Sequence, residues 1–143
     1  MEQQPLGLYI HIPYCIHKCG YCDFNSHPIK QDEMNHYIDA LVAEMKHYAK
    51  TYSNTNIIRT IFLGGGTPTT LTVYQLERIL KECVSEFTVA SDAEITIEAN
   101  PATIDIEQLK SIRQTGYNRI SIGVQSFDKA ELKLLDRAHG PEE

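Results

Sequence analysis

The sequence alternates short apolar runs with longer amphipathic stretches, and the alternation occurs four times. The apolar runs span residues 7–12, 57–63, 94–99 and 119–124. They are short and rich in β-branched residues, as is typical of buried parallel strands. Between the runs, apolar residues recur at helical spacing and predict amphipathic helices. The stripe of the first helix comprises Met34, Tyr37, Ile38, Leu41, Met45 and Tyr48, and that of the second Leu76, Ile79, Leu80, Cys83, Val84 and Phe87.

Polar residues and glycines mark where these helices should begin and end. The residues expected to cap helix starts are Thr72 (in a capping box with Gln75), Asp128 (in a capping box with Glu131), Asp32 and Asp105. Gly116 is predicted to end the third helix, because glycine readily adopts the left-handed conformation that follows a helix. The pair Gly140–Pro141 is predicted to end the fourth helix.

Strands that alternate with helices predict an α/β fold with a parallel sheet joined by βαβ crossovers. A length of 143 residues fits one domain. A closed eight-fold barrel takes about 250 residues, so four βα units form at most a partial parallel (βα) barrel. We therefore expect residues 1–143 to be the N-terminal part of a larger core domain, with a sheet edge left uncovered.

Composition and charge exclude several classes of function. The net charge of −6 and the pI near 5.5 argue against a nucleic-acid partner, which would favour a basic face. The start of the chain lacks a basic secretory signal, and no apolar run approaches the length of a membrane span. These features predict a cytoplasmic protein. In that compartment clustered cysteines bind metals more often than they form disulfides.

Each predicted strand ends in, or is followed by, residues that could bind a ligand or take part in a reaction. The first strand is followed by Cys15, Cys19 and Cys22, and the second by Gly64–Gly65–Gly66–Thr67–Pro68. The third strand contains Glu98 and is followed by Asn100–Pro101. The fourth is followed by Gln125 and Ser126. In parallel α/β folds functional groups gather beyond the carboxyl ends of the strands. The four segments are therefore expected to meet at one rim.

The CxxxCxxC spacing admits three interpretations. The cysteines could be buried apolar residues, but three in one loop, with Gly20 allowing a tight curl, make that the weaker interpretation. Zinc would need a fourth ligand from His11, His17 or His27, and none is placed as a second clip. Cys83 lies on a helical stripe and is expected in the core. A 4Fe–4S cluster needs only thiolates, and three of them leave one iron free for chemistry; the spacing favours this interpretation.

The remaining rim residues are less specific. The GGGTP segment is not a P-loop, because no lysine follows its glycines; instead it brings bare backbone N–H and C=O groups close to a ligand. Taken alone, Glu98 and Gln125 fit either ligand contact or simple solvation. Arg137 is most simply a solvated cation near the end of the fourth helix. Tyr9 could belong to the core.

Taken together, the stretches LYIHIPYC, CIHKCGYCDF, IFLGGGTPTTL, ITIEANP and GYNRISIGVQSF resemble the radical S-adenosylmethionine superfamily. Within it they resemble the branch of oxygen-independent coproporphyrinogen III oxidases and related haem chaperones. The resemblance implies a 4Fe–4S cluster on Cys15, Cys19 and Cys22, with S-adenosylmethionine chelating the fourth iron. It also implies that one or two cofactor molecules contact Tyr9, Tyr21, Gly65, Gly66, Thr67, Glu98, Gln125 and Arg137.

Phe24 favours one sub-branch. The oxidases resemble CxxxCxxCxC, and this chain has Phe24 where they have the last cysteine. Phenylalanine there is the pattern of the haem chaperones, which implies haem, haem-acceptor proteins and an electron donor for the cluster as partners. The alternatives are the oxidase itself, which carries out a radical decarboxylation in porphyrin biosynthesis, and a zinc-stabilised binding module.

Overall fold

The computed structural model describes residues 3–142. In this part of the chain a four-stranded sheet is formed by β1 (Gln4–Ile12), β4 (Asn56–Gly65), β5 (Val89–Ala99) and β6 (Arg119–Ile122). The strands lie in the order β1-β4-β5-β6, and every neighbouring pair is parallel. The predicted α/β fold with a parallel sheet is therefore confirmed. A second, unpredicted pair is formed by β2 (Tyr14–Cys15) and β3 (His27–Pro28).

Helices connect successive strands of the main sheet. The connecting helices are α1 (Gln31–Tyr52), α2 (Val73–Glu86) and α3 (Ile106–Thr115), and α4 (Lys129–Leu134) follows β6. Short 3₁₀ helices lie at Pro68–Thr70 and Pro101–Thr103. Strand residues such as Ile12, Ile61 and Leu63 form one buried core with Ile38 of α1 and Ile79 of α2. None of the helices within residues 3–142 is both long enough and apolar enough to cross a membrane.

Most of the predicted helix starts are confirmed. The capping box of Thr72 and Gln75 is present at α2. At α3, Asp105 accepts a hydrogen bond from the backbone N–H of Gln108 at 2.7 Å. The prediction for Asp32 is wrong: α1 follows Lys30, and Asp32 lies inside its first turn, where a carboxylate still favours the positive end of the helix dipole.

At the start of α4 the predicted cap by Asp128 is confirmed, but the predicted capping box with Glu131 is wrong. Asp128 accepts hydrogen bonds from the N–H groups of Ala130 and Glu131, at 2.8 and 3.0 Å. The Glu131 carboxylate, however, accepts from the Ser126 hydroxyl at 2.5 Å, and that hydroxyl in turn accepts from the Asp128 N–H at 3.0 Å. Ser126 thus joins the two members of the box.

The predicted end of α3 is confirmed, and the predicted end of α4 is wrong. Gly116 ends α3, with φ of 119°. α4 ends at Leu134, well before Gly140–Pro141, and Asp136 then adopts a left-handed conformation with φ of 54°. The predicted apolar stripes of α1 and α2 also include residues that do not belong to the core.

Tyr48 and Val84 are half-exposed rather than packed in the core. On α1 the buried positions are taken instead by Val42 and Ala49, which lie on the face that meets the sheet and α2. Tyr48 stacks loosely with Tyr52 at the helix surface, with ring centroids 6.4 Å apart.

Candidate functional site

A cavity of about 710 Å³ opens beyond the carboxyl ends of the four main strands. The convergence expected from the sequence is therefore present. Of the residues expected to form a site, the following line the cavity: Cys15, Cys19, Tyr21, Cys22, Gly65, Gly66, Thr67, Glu98, Gln125 and Arg137. Tyr9 is not part of this lining.

The β2–β3 pairing closes the base of the cysteine loop. The backbone N–H of His27 donates to Pro13 O at 2.9 Å, and that of Ile29 donates to Cys15 O at 3.0 Å. A turn inside the loop is closed by the Cys22 N–H, which donates to Cys19 O at 3.0 Å. The loop is held at both ends, and its thiols are free rather than disulfide-bonded.

Lys18 braces the same loop. Its ammonium group donates to Phe24 O at 3.1 Å and to Ser26 O at 2.9 Å, which closes the segment that carries Cys19 and Cys22. Gly20, in contrast, is not needed for a tight curl: its φ lies outside the left-handed region, and an added Cβ would meet only Asp136, at 3.7 Å. The expectation for Gly20 is therefore wrong.

Two of the thiols receive hydrogen bonds from cavity residues. The Thr67 hydroxyl donates to Cys15 Sγ at 3.7 Å, and Arg137 Nη1 donates to Cys19 Sγ at 3.3 Å. Both donors come from residues that line the same cavity as the thiols. Cys22 is partly exposed, whereas Cys15 and Cys19 are buried.

Arg137 is not the solvated cation that its sequence position predicted. Besides Cys19, its guanidinium group donates to Gly123 O and lies 3.5 Å from the Tyr21 hydroxyl. Its Nε is buried without a hydrogen-bond partner among the described residues. Such an orphaned donor next to a cavity fits an anionic ligand group.

The backbone N–H groups of the glycine segment are used within the protein. Gly65 has φ of 111°, and it is followed by Gly66 and Thr67. All three backbone N–H groups donate within the protein, and the acceptors are Glu98 Oε2 at 3.1 Å, Ile12 O at 2.7 Å and Tyr14 O at 2.7 Å. The expectation that this segment presents N–H groups to a ligand is therefore wrong.

Close packing explains why glycines are needed here. A Cβ on Gly66 would lie 2.6 Å from Tyr14 O and 2.9 Å from Ile12 O, in the segment that leads to Cys15. A Cβ on Gly65 would collide with the ring of His11. The glycines thus allow β4 to pass directly against the start of the cysteine loop.

Tyr9 and His11 form a hydrogen-bonded chain beside the cavity. His11 Nε2 lies 2.8 Å from Asn25 O, and because a carbonyl only accepts, Nε2 carries the proton. The Tyr9 hydroxyl, 2.9 Å from Nδ1, is therefore the donor. Burial, and secondarily the Glu98 charge, raises the pKa of Tyr9. Sequence reasoning weighed His11 only as a zinc ligand; a cofactor contact by Tyr9 stays a prediction.

The histidines weighed as a fourth zinc ligand are engaged elsewhere. His17 Nε2 is 2.9 Å from Asp136 Oδ2, and His27 Nδ1 is 3.2 Å from Pro28 O. Among residues 3–142, no three or more His, Cys, Asp or Glu side chains come together in a group that could hold one metal ion. The three thiols instead line a shared cavity.

Comparisons with known proteins give matches over nearly the whole chain. The Radical SAM superfamily matches residues 9–143. The chain is 45% identical over 141 residues to the heme chaperone HemW of Escherichia coli strain K12, covering 97% of this chain and 37% of that protein. The Haemophilus influenzae heme chaperone HemW is 40% identical, with the same shares covered. The chain thus spans little more than a third of the length of these relatives.

Solved structures show the same arrangement of strands and helices. Coproporphyrinogen III oxidase (HemN) from Escherichia coli, a radical SAM enzyme, matches with a TM-score of 0.89 and 37% identity, over 98% of this chain and 32% of that one. Elp3 from Methanocaldococcus infernus matches with a TM-score of 0.54 and 14% identity, over 99% and 34%. The second likeness concerns the fold alone.

Proposed function

Because the chain belongs to the radical SAM superfamily, we propose that its cavity binds a 4Fe–4S cluster and S-adenosylmethionine, as the N-terminal part of the core domain of a haem chaperone. The observation that carries the proposal is that three cysteines and the glycine segment line one cavity. Whole-protein activity is part of the proposal, since the chain covers 37% of its chaperone relatives.

The donor set fits the proposed groups. Cys15, Cys19 and Cys22 would hold the cluster, because thiolates are its usual protein ligands. Gly65, Gly66 and Thr67 would contact the cofactor from the cavity wall, and the Arg137 guanidinium matches the carboxylate of its methionine moiety. When bound, a reduced cluster would supply one electron to the sulfonium group of the cofactor, whose bond from sulfur to C5′ would break. The protein keeps the loop closed through Lys18 and the His11–Asn25 bond.

Glu98 and Gln125 complete the proposed cofactor site. Glu98 accepts a hydrogen bond from the Gly65 N–H and would thereby hold the glycine turn against the ligand. Gln125 has a positive φ of 68°, uncommon for a residue other than glycine, and it lies in the cavity wall. Such backbone conformations cluster at ligand sites. Tyr21, next to Arg137, lines the same wall.

Haem delivery is favoured over the oxidase activity. Phe24 lies in the cavity wall at the position where the oxidases have a further cysteine. The curated relatives with 38% to 45% identity carry the name heme chaperone HemW. Haem, haem-acceptor proteins and an electron donor are therefore the proposed partners. The proposed location is the cytoplasm, where the four free cysteines would stay reduced.

Cysteine substitutions test the cluster assignment. After anaerobic reconstitution, Cys15→Ala, Cys19→Ala and Cys22→Ala should each lose most of their iron and sulfide, because two thiolates hold a cubane poorly. Cys83→Ala is the matched control, because Cys83 is fully buried between α1 and α2, 3.3 Å from Met45 Sδ. This variant should keep the parental iron content. Full iron content in any of the first three variants would refute the assignment.

A further inference from the structure

The turn after α4 directs two consecutive side chains toward the cysteine loop. In a helix, neighbouring side chains diverge by about 100°, so residues 136 and 137 could not both face one loop if α4 continued. The helix ends at Leu134, and Asp136 takes φ of 54°. Arg137 is then returned toward the cavity, with its N–H donating to Leu132 O at 3.0 Å.

The two side chains contact the loop at His17 and at Cys19. Asp136 Oδ2 accepts a hydrogen bond from His17 Nε2 at 2.9 Å, across 119 positions of sequence. The same carboxylate oxygen lies 3.7 Å from where a Cβ of Gly20 would be. Arg137 contacts Cys19 Sγ at 3.3 Å. Two consecutive residues therefore contact the loop at His17 and at the Cys19 sulfur.

A left-handed conformation is uncommon outside glycine, although aspartate tolerates it better than most residues. Glycine would adopt this turn without strain, but it would provide no carboxylate. The structure thus pairs a disfavoured backbone conformation with the His17 contact. Strain of this kind persists where surrounding contacts hold it, and it is concentrated at functional sites.

We propose that Asp136 is a positioning residue that anchors the cysteine loop through His17, so that Cys19 is held against Arg137 before any cluster is assembled. The inference rests on the proposed function only in naming these cysteines as cluster ligands. The anchor itself is a property of the protein without metal, and it can be measured there.

The test follows maleimide labelling of each cysteine by mass spectrometry in the reduced, metal-free chain. Asp136→Gly keeps the turn and removes the carboxylate, and it should speed labelling of Cys19 about two- to fivefold, the range for a partly exposed side-chain contact. Labelling of Cys15 should not change. Asp136→Asn keeps an acceptor for His17 and should label at the parental rate. Because both variants lose the same charge, their comparison separates anchoring from an electrostatic effect on the thiol.

Two further measurements make the result decisive. Cys83 reports global unfolding, because it is fully buried and burial raises its pKa to about 12. His17→Ala should raise the labelling rate of Cys19 as much as Asp136→Gly does. In the double variant Cys19 should label no faster than in either single variant. The proposal would be overturned if Asp136→Gly left the labelling rate of Cys19 unchanged, or raised that of Cys83 equally. It would also be overturned if Cys19 labelled as fast in Asp136→Asn as in Asp136→Gly, or if the two substitutions had additive effects in the double variant. Iron content after reconstitution tests the cluster separately.

Discussion

Two glycines near the cysteines show how residues of one type can have different physical roles. Gly66 touches backbone: a Cβ there would lie 2.6 Å from Tyr14 O and 2.9 Å from the carbonyl carbon of Pro13. Backbone atoms cannot move aside as a flexible side chain can. Gly20 has ordinary space, with its nearest neighbour at 3.7 Å. The first glycine is required by chain packing, and the second is not.

The two positions predict opposite outcomes for the same substitution. Gly66→Ala should destabilise the protein by about 1–3 kcal/mol, the usual cost of overpacking, and should lower iron content by displacing the segment that leads to Cys15. Gly20→Ala should change both by little. Urea denaturation and iron analysis of the two variants provide the comparison. Parental stability in Gly66→Ala would show that β4 can shift away from the loop.

At the scale of elements, local signals were predictable and long-range ones were not. The four strands and the caps at Thr72 and Asp105 depend on nearby residues, so periodicity and residue type are enough to find them. The convergence at one rim follows from parallel strand direction. The β2–β3 pair was missed because two-residue strands have no measurable period.

The position of Arg137 was unpredictable for a related reason. Nothing in the LDRAHG stretch marks the end of α4 at Leu134, since Asp136 is not a residue that normally ends a helix. The turn is stabilised by contacts with His17 and Cys19, more than a hundred positions earlier in the chain. The start of α1 is similar: the Ile29 N–H is bound to Cys15 O, which fixes where the helix can begin.

The two longest helices differ in how their first turns are capped, and this difference predicts their response to mutation. Thr72→Ala removes the capping box of α2 and should cost about 1 kcal/mol. Lys30 has extended dihedral angles (φ −124°, ψ 99°) and, within the described residues, no capping hydrogen bond from its side chain. Lys30→Ser should therefore stabilise the protein by up to about 1 kcal/mol. Chemical denaturation measures both, and a destabilised Lys30→Ser variant would contradict the argument.

At the scale of the whole molecule, the sheet that gathers the site also leaves apolar surface at one edge. β6 pairs with β5 on one side and is the last strand in the sheet order. Its Ile120 and Ile122 are 37% and 44% exposed, and Phe127 just beyond is 80% exposed. Unpaired edge strands with apolar side chains promote association between chains.

The 143-residue chain is therefore expected to self-associate through β6. Size-exclusion chromatography with light scattering should show a mass that rises with protein concentration. Ile120→Lys places a charge on the edge strand and should shift the protein toward monomer, because a lysine buried in a strand-to-strand contact would lose its hydration. Tyr74→Lys is the matched control: Tyr74 lies on α2, is 74% exposed, and its replacement should leave the association unchanged. A parental chain that stays monomeric at all concentrations, or an equal effect of both lysines, would show that the β6 edge does not drive association.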